Sequence, residues 1–330
     1  MREISCEVRA RAGIGLARML TSAAVLAIAF STAAATAAPA ATSMCGGAHI
    51  PLDTSVLSKP FAQLRLGGVT GNFLLDTGAT ASRVAMDHYG AREGTELILS
   101  GFTLPLAQTG TFIAADLRSF AAPPGGQLGT VGTDFLSLRS IEFRYEPPAP
   151  FAALGNKGCD RDELLRAGLL AVGMPGYYEA DVSRLKPGMP NVPVLGLRIG
   201  TLAFPAQLDT GYGDFPPGIV QVNAALMRAL HAAGIPAHPL PSDVVTVGCS
   251  GAHAYERWQI EEAELSIVTA EGSIAVQYPP PLLEVKTDTR CGGISGFTEP
   301  FAQLGASWLS RWGSSVLDGA SSAVWIRAQR

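Results

Sequence analysis

The sequence predicts a mostly β protein built from two similar lobes in one chain. Three observations support this prediction: a set of short motifs occurs twice, a strand-turn-strand pattern precedes each copy, and helical patterns are few. The chain has 330 residues, of which 47% are hydrophobic and 16% are charged. This length suits one large domain or two domains of ordinary size.

The first forty residues have the pattern of a secretory signal peptide. Arg9, Arg11 and Arg18 form a basic start, an apolar run follows from Met19 to Phe30, and small residues then offer cleavage sites. A retained membrane anchor is the alternative, but the run is short for a span and ends in Ala and Thr. We therefore expect a periplasmic or secreted protein with no stable membrane span after the signal is removed.

Charge and cysteine content agree with export. Removal of residues 1–40 takes away four Arg and two Glu, so the formal net charge changes from −4 to −6. An acidic exported chain is poorly suited to bind nucleic acid or anionic lipid. Four cysteines remain and allow three pairings, of which we favour Cys45 with Cys159 and Cys249 with Cys291, each within one half of the chain. Zinc binding is the alternative, but no two of them are spaced as C-x-x-C.

A duplication is the most informative feature of the chain. LRLG begins at Leu64 and is followed by DTG at Asp76, and LRIG begins at Leu197 and is followed by DTG at Asp209. In both copies the leading Leu lies twelve residues before the Asp, so the same offset separates the two leucines and the two aspartates. Average composition gives roughly 0.1 chance occurrences of DTG in a chain of this length, so two copies in matching surroundings indicate a repeat.

A second pair of motifs follows in the same order. VGTDFLS begins at Val131 and LGASWLS begins at Leu304. Each has an apolar residue and a glycine before a helix-like start, so we expect Thr133 or Asp134, and Ser307, to act as helix caps. This makes Asp134 a structural acid in our interpretation and not a catalytic one.

The local patterns place the DTG motifs at strand ends. Phe61 to Leu66, a Gly-Gly turn, and Val69 to Leu75 predict a β-hairpin that ends at Asp76. The second copy predicts the same hairpin, ending at Leu208. Helices are predicted at Asp160–Val172 and Val222–Ala233. The predicted domains are a signal peptide at 1–40, an N-terminal lobe at 45–146, a connecting segment at 147–190 and a C-terminal lobe at 191–330.

Together these motifs resemble those of bacterial, retropepsin-like aspartic proteases that carry both lobes in one chain, as pepsin-type enzymes do. The resemblance covers most of residues 50–145 and 192–327. It implies two retropepsin-like β-barrel lobes related by a pseudo-twofold axis, with a cleft between them. It also implies an aspartic endopeptidase that acts on a peptide or protein substrate as a monomer, without a cofactor or metal.

Carried over to this sequence, the resemblance makes Asp76 and Asp209 the catalytic pair. The threonines after each Asp would hydrogen-bond across the lobe boundary, and the glycines would bring backbone close to the acids. The residues expected to support the pair are Thr77, Gly78, Thr80, Thr210 and Gly211. The chemistry makes the same demand: two adjacent carboxylates share a proton, so that one acts as base and the other as acid. Aspartic proteases are the standard example of this effect.

The second copy departs from the family pattern. Ala79-Thr80 follows the first DTG as expected, whereas Tyr212-Gly213 follows the second and provides no hydroxyl for Asp209. We expect the Thr80 hydroxyl to donate to Asp76 and to favour its ionised form. The interval from the Asp to the apolar-Gly motif is also longer in the second copy than in the first. Ser100–Thr103 is the segment we consider for a cover over the substrate.

A different function remains as an alternative at this point. The chain contains no H-E-x-x-H, G-x-S-x-G, P-loop or dinucleotide motif. The Tyr212-Gly213 departure favours a catalytically inactive pseudo-protease that binds a peptide or an envelope partner in the cleft between the lobes. The retention of both aspartates favours the protease.

Overall fold

The structure is a computed structural model. It describes residues 43–104, 109–137, 140–146, 149–155, 158–172, 192–241, 245–248, 251–269, 271–288, 293–319, 321 and 323–327. The predicted signal peptide, half of the connecting segment, Cys249 and Cys291 lie outside the described residues. The second predicted disulfide therefore stays a prediction.

The fold is mostly β, as predicted, with two large sheets. The first sheet has twelve strands, in the spatial order β10 (Leu169–Ala171), β23 (Ala323–Arg327), β22 (Ser314–Asp318), β8 (Ser140–Arg144), β9 (Phe151–Gly155), β1 (Ala48–Asp53), β2 (Phe61–Leu66), β3 (Val69–Leu75), β7 (Gln127–Val131), β4 (Arg83–Ala85), β6 (Thr109–Ala115) and β5 (Glu96–Ser100).

The second sheet has nine strands, in the order β14 (Ala237–Leu240), β17 (Glu256–Ile260), β20 (Leu282–Lys286), β13 (Val220–Asn223), β21 (Ala302–Leu304), β12 (Leu202–Leu208), β11 (Val194–Ile199), β18 (Leu265–Val268) and β19 (Ile274–Tyr278). A separate two-stranded sheet consists of β15 (Val245–Gly248) and β16 (Gly251–Ala254).

The duplication seen in the sequence is present in the backbone. The hairpin β2–β3 recurs as β11–β12, and every strand boundary is displaced by the same offset that separates Asp76 from Asp209. In each hairpin the glycine after the first strand, Gly67 or Gly200, has a φ of 57°. That left-handed conformation is one that glycine adopts without strain and that tight hairpin turns require.

Each repeated hairpin also pairs with the strand of the apolar-Gly motif. β3 runs parallel to β7 with Leu75 opposite Val131, and β12 runs parallel to β21 with Leu208 opposite Leu304. A parallel pair brings two strands to the same edge of the sheet, so the DTG turn and the apolar-Gly turn lie together in both copies.

The C-terminal strands leave the sheet of their own half of the chain. β22 pairs with β8 in antiparallel register, with Leu317 opposite Ile141, and β23 follows as its hairpin partner. The first sheet therefore takes strands from both predicted lobes. All five residues of β22 are buried, and pairing across the halves satisfies their backbone groups away from water.

Helices are short in the described residues, namely α1 (Thr133–Leu136), α2 (Arg161–Arg166), α3 (Ala224–Ala232) and α4 (Ser307–Trp312), with a 3-10 turn at Ile294–Gly296. Asp160 caps α2 as predicted. The helix ends at Arg166 and not at Val172, because Gly168 turns the chain with a φ of 79° and Leu169 begins β10.

The core and one disulfide join these layers. A continuous cluster of buried apolar side chains extends from the first sheet to the second and includes Phe73, Leu75, Leu208 and Trp308. The predicted bond between Cys45 and Cys159 is confirmed. In the described part of the chain, no helix has the length and hydrophobicity needed to cross a membrane.

Candidate active site

Each aspartate of the repeated motif follows a strand that is paired in parallel. The backbone N–H of Asp76 donates to the carbonyl of Val131 at 2.9 Å, and that of Asp209 donates to the carbonyl of Leu304, also at 2.9 Å. Backbone pairing therefore fixes the two aspartates in equivalent positions at the ends of β3 and β12.

Tight turns hold the two carboxylates in matching orientations. Oδ1 of Asp76 accepts the backbone N–H groups two and three residues onward, at 2.9 and 3.1 Å. Oδ1 of Asp209 accepts the corresponding groups at 2.9 and 3.0 Å. Since each turn uses one carboxylate oxygen, Oδ2 of each acid remains for the partner acid or for a ligand.

The two threonines link the copies reciprocally. The backbone N–H of Thr77 donates to the hydroxyl of Thr210 at 3.0 Å, and the backbone N–H of Thr210 donates to the hydroxyl of Thr77 at 3.1 Å. Each hydroxyl then donates to a strand carbonyl of the other copy, Thr77 to Leu208 at 2.6 Å and Thr210 to Leu75 at 2.5 Å. Both threonines are fully buried, so these bonds lock the two turns together.

The two glycines allow close approach of the acids. A Cβ atom at Gly78 would overlap the carboxyl group of Asp209, and a Cβ atom at Gly211 would overlap that of Asp76. Each acid therefore packs on the turn of the other copy, and the two carboxyl groups come within hydrogen-bonding reach of each other.

Proximity changes the acidity of the pair. Burial, and next the charge of Asp209, raise the pKa of Asp76 to about 7. Both effects disfavour the ionised form, because a second negative charge would be desolvated and placed beside the first. The pair therefore retains a shared proton close to neutral pH, and titrates as a unit.

Thr80 does not behave as expected. Its side chain is exposed, and within the described residues its hydroxyl makes no hydrogen bond to Asp76, whose oxygen is served by backbone N–H groups. The raised pKa of Asp76 is also opposite in direction to the effect expected of a hydroxyl donor. The backbone N–H groups of Gly78 and Ala79 make the hydrogen bonds to Asp76 that were expected from the Thr80 hydroxyl.

Lys59 is a site residue that the sequence analysis missed. It is only 7% exposed and lies close enough to Asp76 and Asp209 for both charges to act on it. Its stem packs on the second copy: a Cβ atom at Gly213 would lie 2.8 Å from Lys59 Cε and 2.7 Å from Leu57 Cδ1. The glycine that departs from the family pattern is therefore required by this packing.

Tyr212, the other departure, anchors the second turn to a buried polar cluster. Its hydroxyl donates to Oε1 of Glu284 at 3.0 Å, and Glu284 is 1% exposed. The same carboxylate accepts from Gln221 at 2.9 Å and forms an ion pair with Arg257 at 3.0 Å. Through these bonds to Glu284, the cluster holds the turn that follows Asp209 in place.

In each copy, one hydrogen-bonded Asp–Ser pair links the segment after the DTG turn to the apolar-Gly turn. Ser82 donates through its hydroxyl and backbone N–H to Asp134, at 2.8 and 2.9 Å. In the second copy the roles are exchanged, and the backbone N–H of Ser307 donates to Asp214 at 3.0 Å. Asp134 is thus structural, as predicted, but it is not a helix cap: α1 begins after Gly132 without a side-chain cap.

The predictions for Ser307 as a helix cap and for Ser100–Thr103 as a cover were wrong. Ser307 does not cap α4, whose N-cap is Ala306. Ser100–Thr103 is not a cover over the dyad, because Ser100 accepts from Gly67 and Thr103 donates to Arg65, both at the hairpin turn. That turn lies at the opposite end of the seven-residue strand β3 from Asp76.

No protein-family model matches this sequence, and no curated protein matches it either. Among solved structures, the chain is similar to the aspartic proteinase from Irpex lacteus. The two share 12% sequence identity, and the alignment covers 86% of this chain and 97% of that chain with a TM-score of 0.47.

Proposed function

We propose that this chain is an exported aspartic endopeptidase that hydrolyses peptide bonds with a water activated by Asp76 and Asp209. The observation that carries the proposal is the reciprocal packing of the two acids, each on the glycine of the other copy's turn. Two adjacent carboxylates repel each other even with backbone N–H donors beside them, so the arrangement favours a functional reason over a structural one.

The mechanism follows from the shared proton of the pair. Burial and the charge of Asp209 raise the pKa of Asp76, so we assign the shared proton to Asp76 and the role of base to Asp209. Asp209 accepts a proton from the water as that water attacks the peptide carbonyl carbon. Asp76 donates its proton to the carbonyl oxygen, which gives a neutral tetrahedral intermediate. Asp209 then gives its proton to the leaving nitrogen, Asp76 takes a proton back from one hydroxyl of the intermediate, and the C–N bond breaks to release the two products.

We also propose an oligomeric state, a location and a partner for the protein. One chain supplies both acids, so a monomer has a complete site. The bond between Cys45 and Cys159 fits an oxidising compartment such as the periplasm or the exterior. The partner is a peptide or protein substrate, and the chemistry requires neither a cofactor nor a metal.

A second candidate function is peptide binding without cleavage. The observation in its favour is Lys59, whose positive charge opposes the rise in the pKa of Asp76. A cation beside the dyad also gives the cleft a group that binds peptide carboxylates without any chemistry. The pseudo-protease therefore keeps the cleft as a receptor.

Digestion of a mixed peptide library at several pH values separates the two candidates. The protease predicts cleavage that is abolished by a peptide with a hydroxyethylene group at the scissile position, and by Asp209→Asn. Asp116→Asn removes an exposed carboxylate that pairs with Arg118, and should leave cleavage unchanged. Retention of library peptides without cleavage at any pH would favour the second candidate.

A further inference from the structure

We propose that Lys59 makes the cleft selective for substrates that place a carboxylate beside the scissile bond, on one side of that bond only. The inference rests on the proposed endopeptidase function and adds a substrate class to it. Four observations lead to it: the position of Lys59, its rigid loop, its lack of a partner among the described residues, and its absence from the other copy.

Strand pairing brings Lys59 to the dyad. The backbone N–H of Leu75 donates to the carbonyl of Pro60 at 3.0 Å, so the residue before Pro60 lies beside the residue after Leu75. That places Lys59 next to Asp76. The contact of Lys59 Cε with Gly213 carries the side chain across to the turn that follows Asp209.

The loop that presents Lys59 is held in a strained conformation. Leu57 and Ser58 have φ values of 51° and 59°, in a region that non-glycine residues seldom adopt. Tyr145 donates to the carbonyl of Ser58 at 2.8 Å, and the N–H of Lys59 donates to the carbonyl of Val56 at 3.0 Å. Such strain persists only when the surroundings fix it, and it is concentrated at functional sites.

Lys59 is largely buried as a residue, and its ammonium group has no partner from the described part of the chain. Among those residues it makes no hydrogen bond and no ion pair within 4.0 Å, although only 7% of Lys59 is exposed. Burial lowers the pKa of Lys59, and the charges of Asp76 and Asp209 oppose that change. A cation on a largely buried residue and without a hydrogen-bond partner is costly, so a carboxylate that reached it would gain a strong charge-assisted bond.

The other copy lacks this cation at the equivalent position. Val192-Pro193 corresponds to Lys59-Pro60 at the offset of the repeat, and the N–H of Leu208 donates to the carbonyl of Pro193 at 2.8 Å. Val192 is 1% exposed and packs in an apolar cluster with Ile294 and Phe301. Since Lys59 has no cationic counterpart in the second copy, only one side of the scissile bond should favour an acid.

Two kinds of peptide carboxylate fit this description. One is the side chain of Glu or Asp, and the other is the terminal carboxylate of a short product-like peptide. Peptides with amidated C-termini carry only the first, and peptides with free C-termini and no acidic residue carry only the second. Both arms belong in the test because they distinguish internal cleavage from trimming at the chain end.

The experiment compares Lys59 variants on matched peptides at about pH 6, where substrate carboxylates are ionised. Amidated substrates differ only by Glu or Gln at each position beside the scissile bond. Lys59→Met should lower the ratio of kcat/KM for the Glu substrate to kcat/KM for the Gln substrate by about 10- to 100-fold, as expected for loss of a charged hydrogen bond to the substrate. Lys59→Arg should retain most of the preference. Arg65→Met removes an exposed charge from the same strand region and should change neither substrate.

Each outcome bears on the inference. Loss of the Glu preference at one position only, in Lys59→Met, supports it. Equal losses of kcat/KM for the Glu and Gln substrates, with a displaced pH profile, would overturn it. Lys59 would then act on the acidity of the dyad and not on the substrate. A preference seen only for free C-termini would overturn the internal side-chain reading and support chain-end recognition.

A binding measurement keeps this test independent of turnover. With Asp209→Asn as the background, the Glu peptide should bind about 10-fold or more tightly than the Gln peptide, and Lys59→Met should remove that difference. If no peptide is cleaved but this difference is found, the endopeptidase proposal fails and the carboxylate site stands. If peptides are cleaved and no difference is found, the carboxylate site fails alone.

Discussion

Thr77 and Thr210 each donate a backbone N–H to the hydroxyl of the other, at 3.0 and 3.1 Å, and neither is exposed to solvent. The two residues hold equivalent places in the two copies of the repeat. Because each hydroxyl also donates to a strand carbonyl of the other copy, the position of one acid is set by the turn of the other. The dyad is thus a joint product of both copies.

Removal of one hydroxyl should therefore destabilise the protein. Thr77→Val keeps the side-chain shape but leaves the N–H of Thr210 and the carbonyl of Leu208 without a partner away from water. We expect the free energy of unfolding to fall by about 2–6 kcal/mol, from about 1–3 kcal/mol for each of these two unsatisfied groups. Urea unfolding monitored by fluorescence measures this change.

Thr80 is the matched control for that substitution. Its side chain is exposed and its hydroxyl has no hydrogen-bond partner among the described residues. Thr80→Val should alter stability by less than about 0.5 kcal/mol and should leave the pH dependence of activity unchanged. Equal losses in Thr77→Val and Thr80→Val would argue against a specific role for the buried pair.

The raised pKa of Asp76 predicts a pH-dependent contribution to stability. The folded state holds this proton more tightly than the unfolded state, since the pKa is about 7 against an ordinary value of 3.8. The contribution is thus fully present below about pH 4 and is lost as the pH rises through about 7. Asp76→Asn cannot titrate, so the stability of the wild type relative to this variant should fall over that range. Parallel stability curves between pH 4 and pH 8 would contradict this prediction.

The pH dependence of activity should reflect the same shared proton. The proposed mechanism needs one proton on the pair, so kcat/KM should decline above about pH 7 as Asp76 loses it. The decline belongs to the pair and is read from the alkaline limb of the pH profile. Full activity retained at pH 9 would show that the shared proton is not required.

Gly213 should tolerate no side chain, although its counterpart Thr80 carries one. A Cβ atom at Gly213 would lie 2.7 Å from Leu57 and 2.8 Å from Lys59. Gly213→Ala should therefore cost about 1–3 kcal/mol of stability through overpacking. Gly296→Ala is the control, because nothing lies within 4 Å of a Cβ atom there. Neutral behaviour of both variants in thermal unfolding would contradict the packing of Lys59 on this turn.

The disulfide between Cys45 and Cys159 closes a loop of 114 residues. Replacing both cysteines with alanine should lower the free energy of unfolding by about 2–5 kcal/mol. Denaturant unfolding of this variant, and of the wild type with and without reductant, measures the effect. Mass mapping of the unreduced protein should also find Cys249 joined to Cys291, and free thiols at those two residues would refute that pairing.

The hairpins and their aspartates were predictable because their signals are local. Alternating apolar residues, a Gly-Gly turn and a following DTG all lie in one short stretch that begins at Phe61, and the repeat confirms them. The place of β22 was not predictable in this way. Its partner β8 lies in the other half of the chain, and no local pattern specifies which edge a buried strand will join.

Lys59 and Thr80 show the same limit within the site. A single lysine before a proline carries no signal by itself, and only the alignment of Lys59-Pro60 with Val192-Pro193 marks it as an asymmetry between the copies. The donation expected from Thr80 depended on a side-chain orientation that sequence does not determine. Contacts across the copies decide both cases, as they do for Gly213.

The most direct test of the central claim, that Asp76 and Asp209 act as one unit, is kcat/KM for a single cleaved peptide in Asp76→Asn, Asp209→Asn and the double variant. Each single change should lower kcat/KM by about 10³-fold or more, because each removes either the base or the acid. The double variant should then be within about 10-fold of the weaker single variant, because groups that act as a unit are not additive. Retention of more than about a tenth of the wild-type value by either single variant would contradict the account.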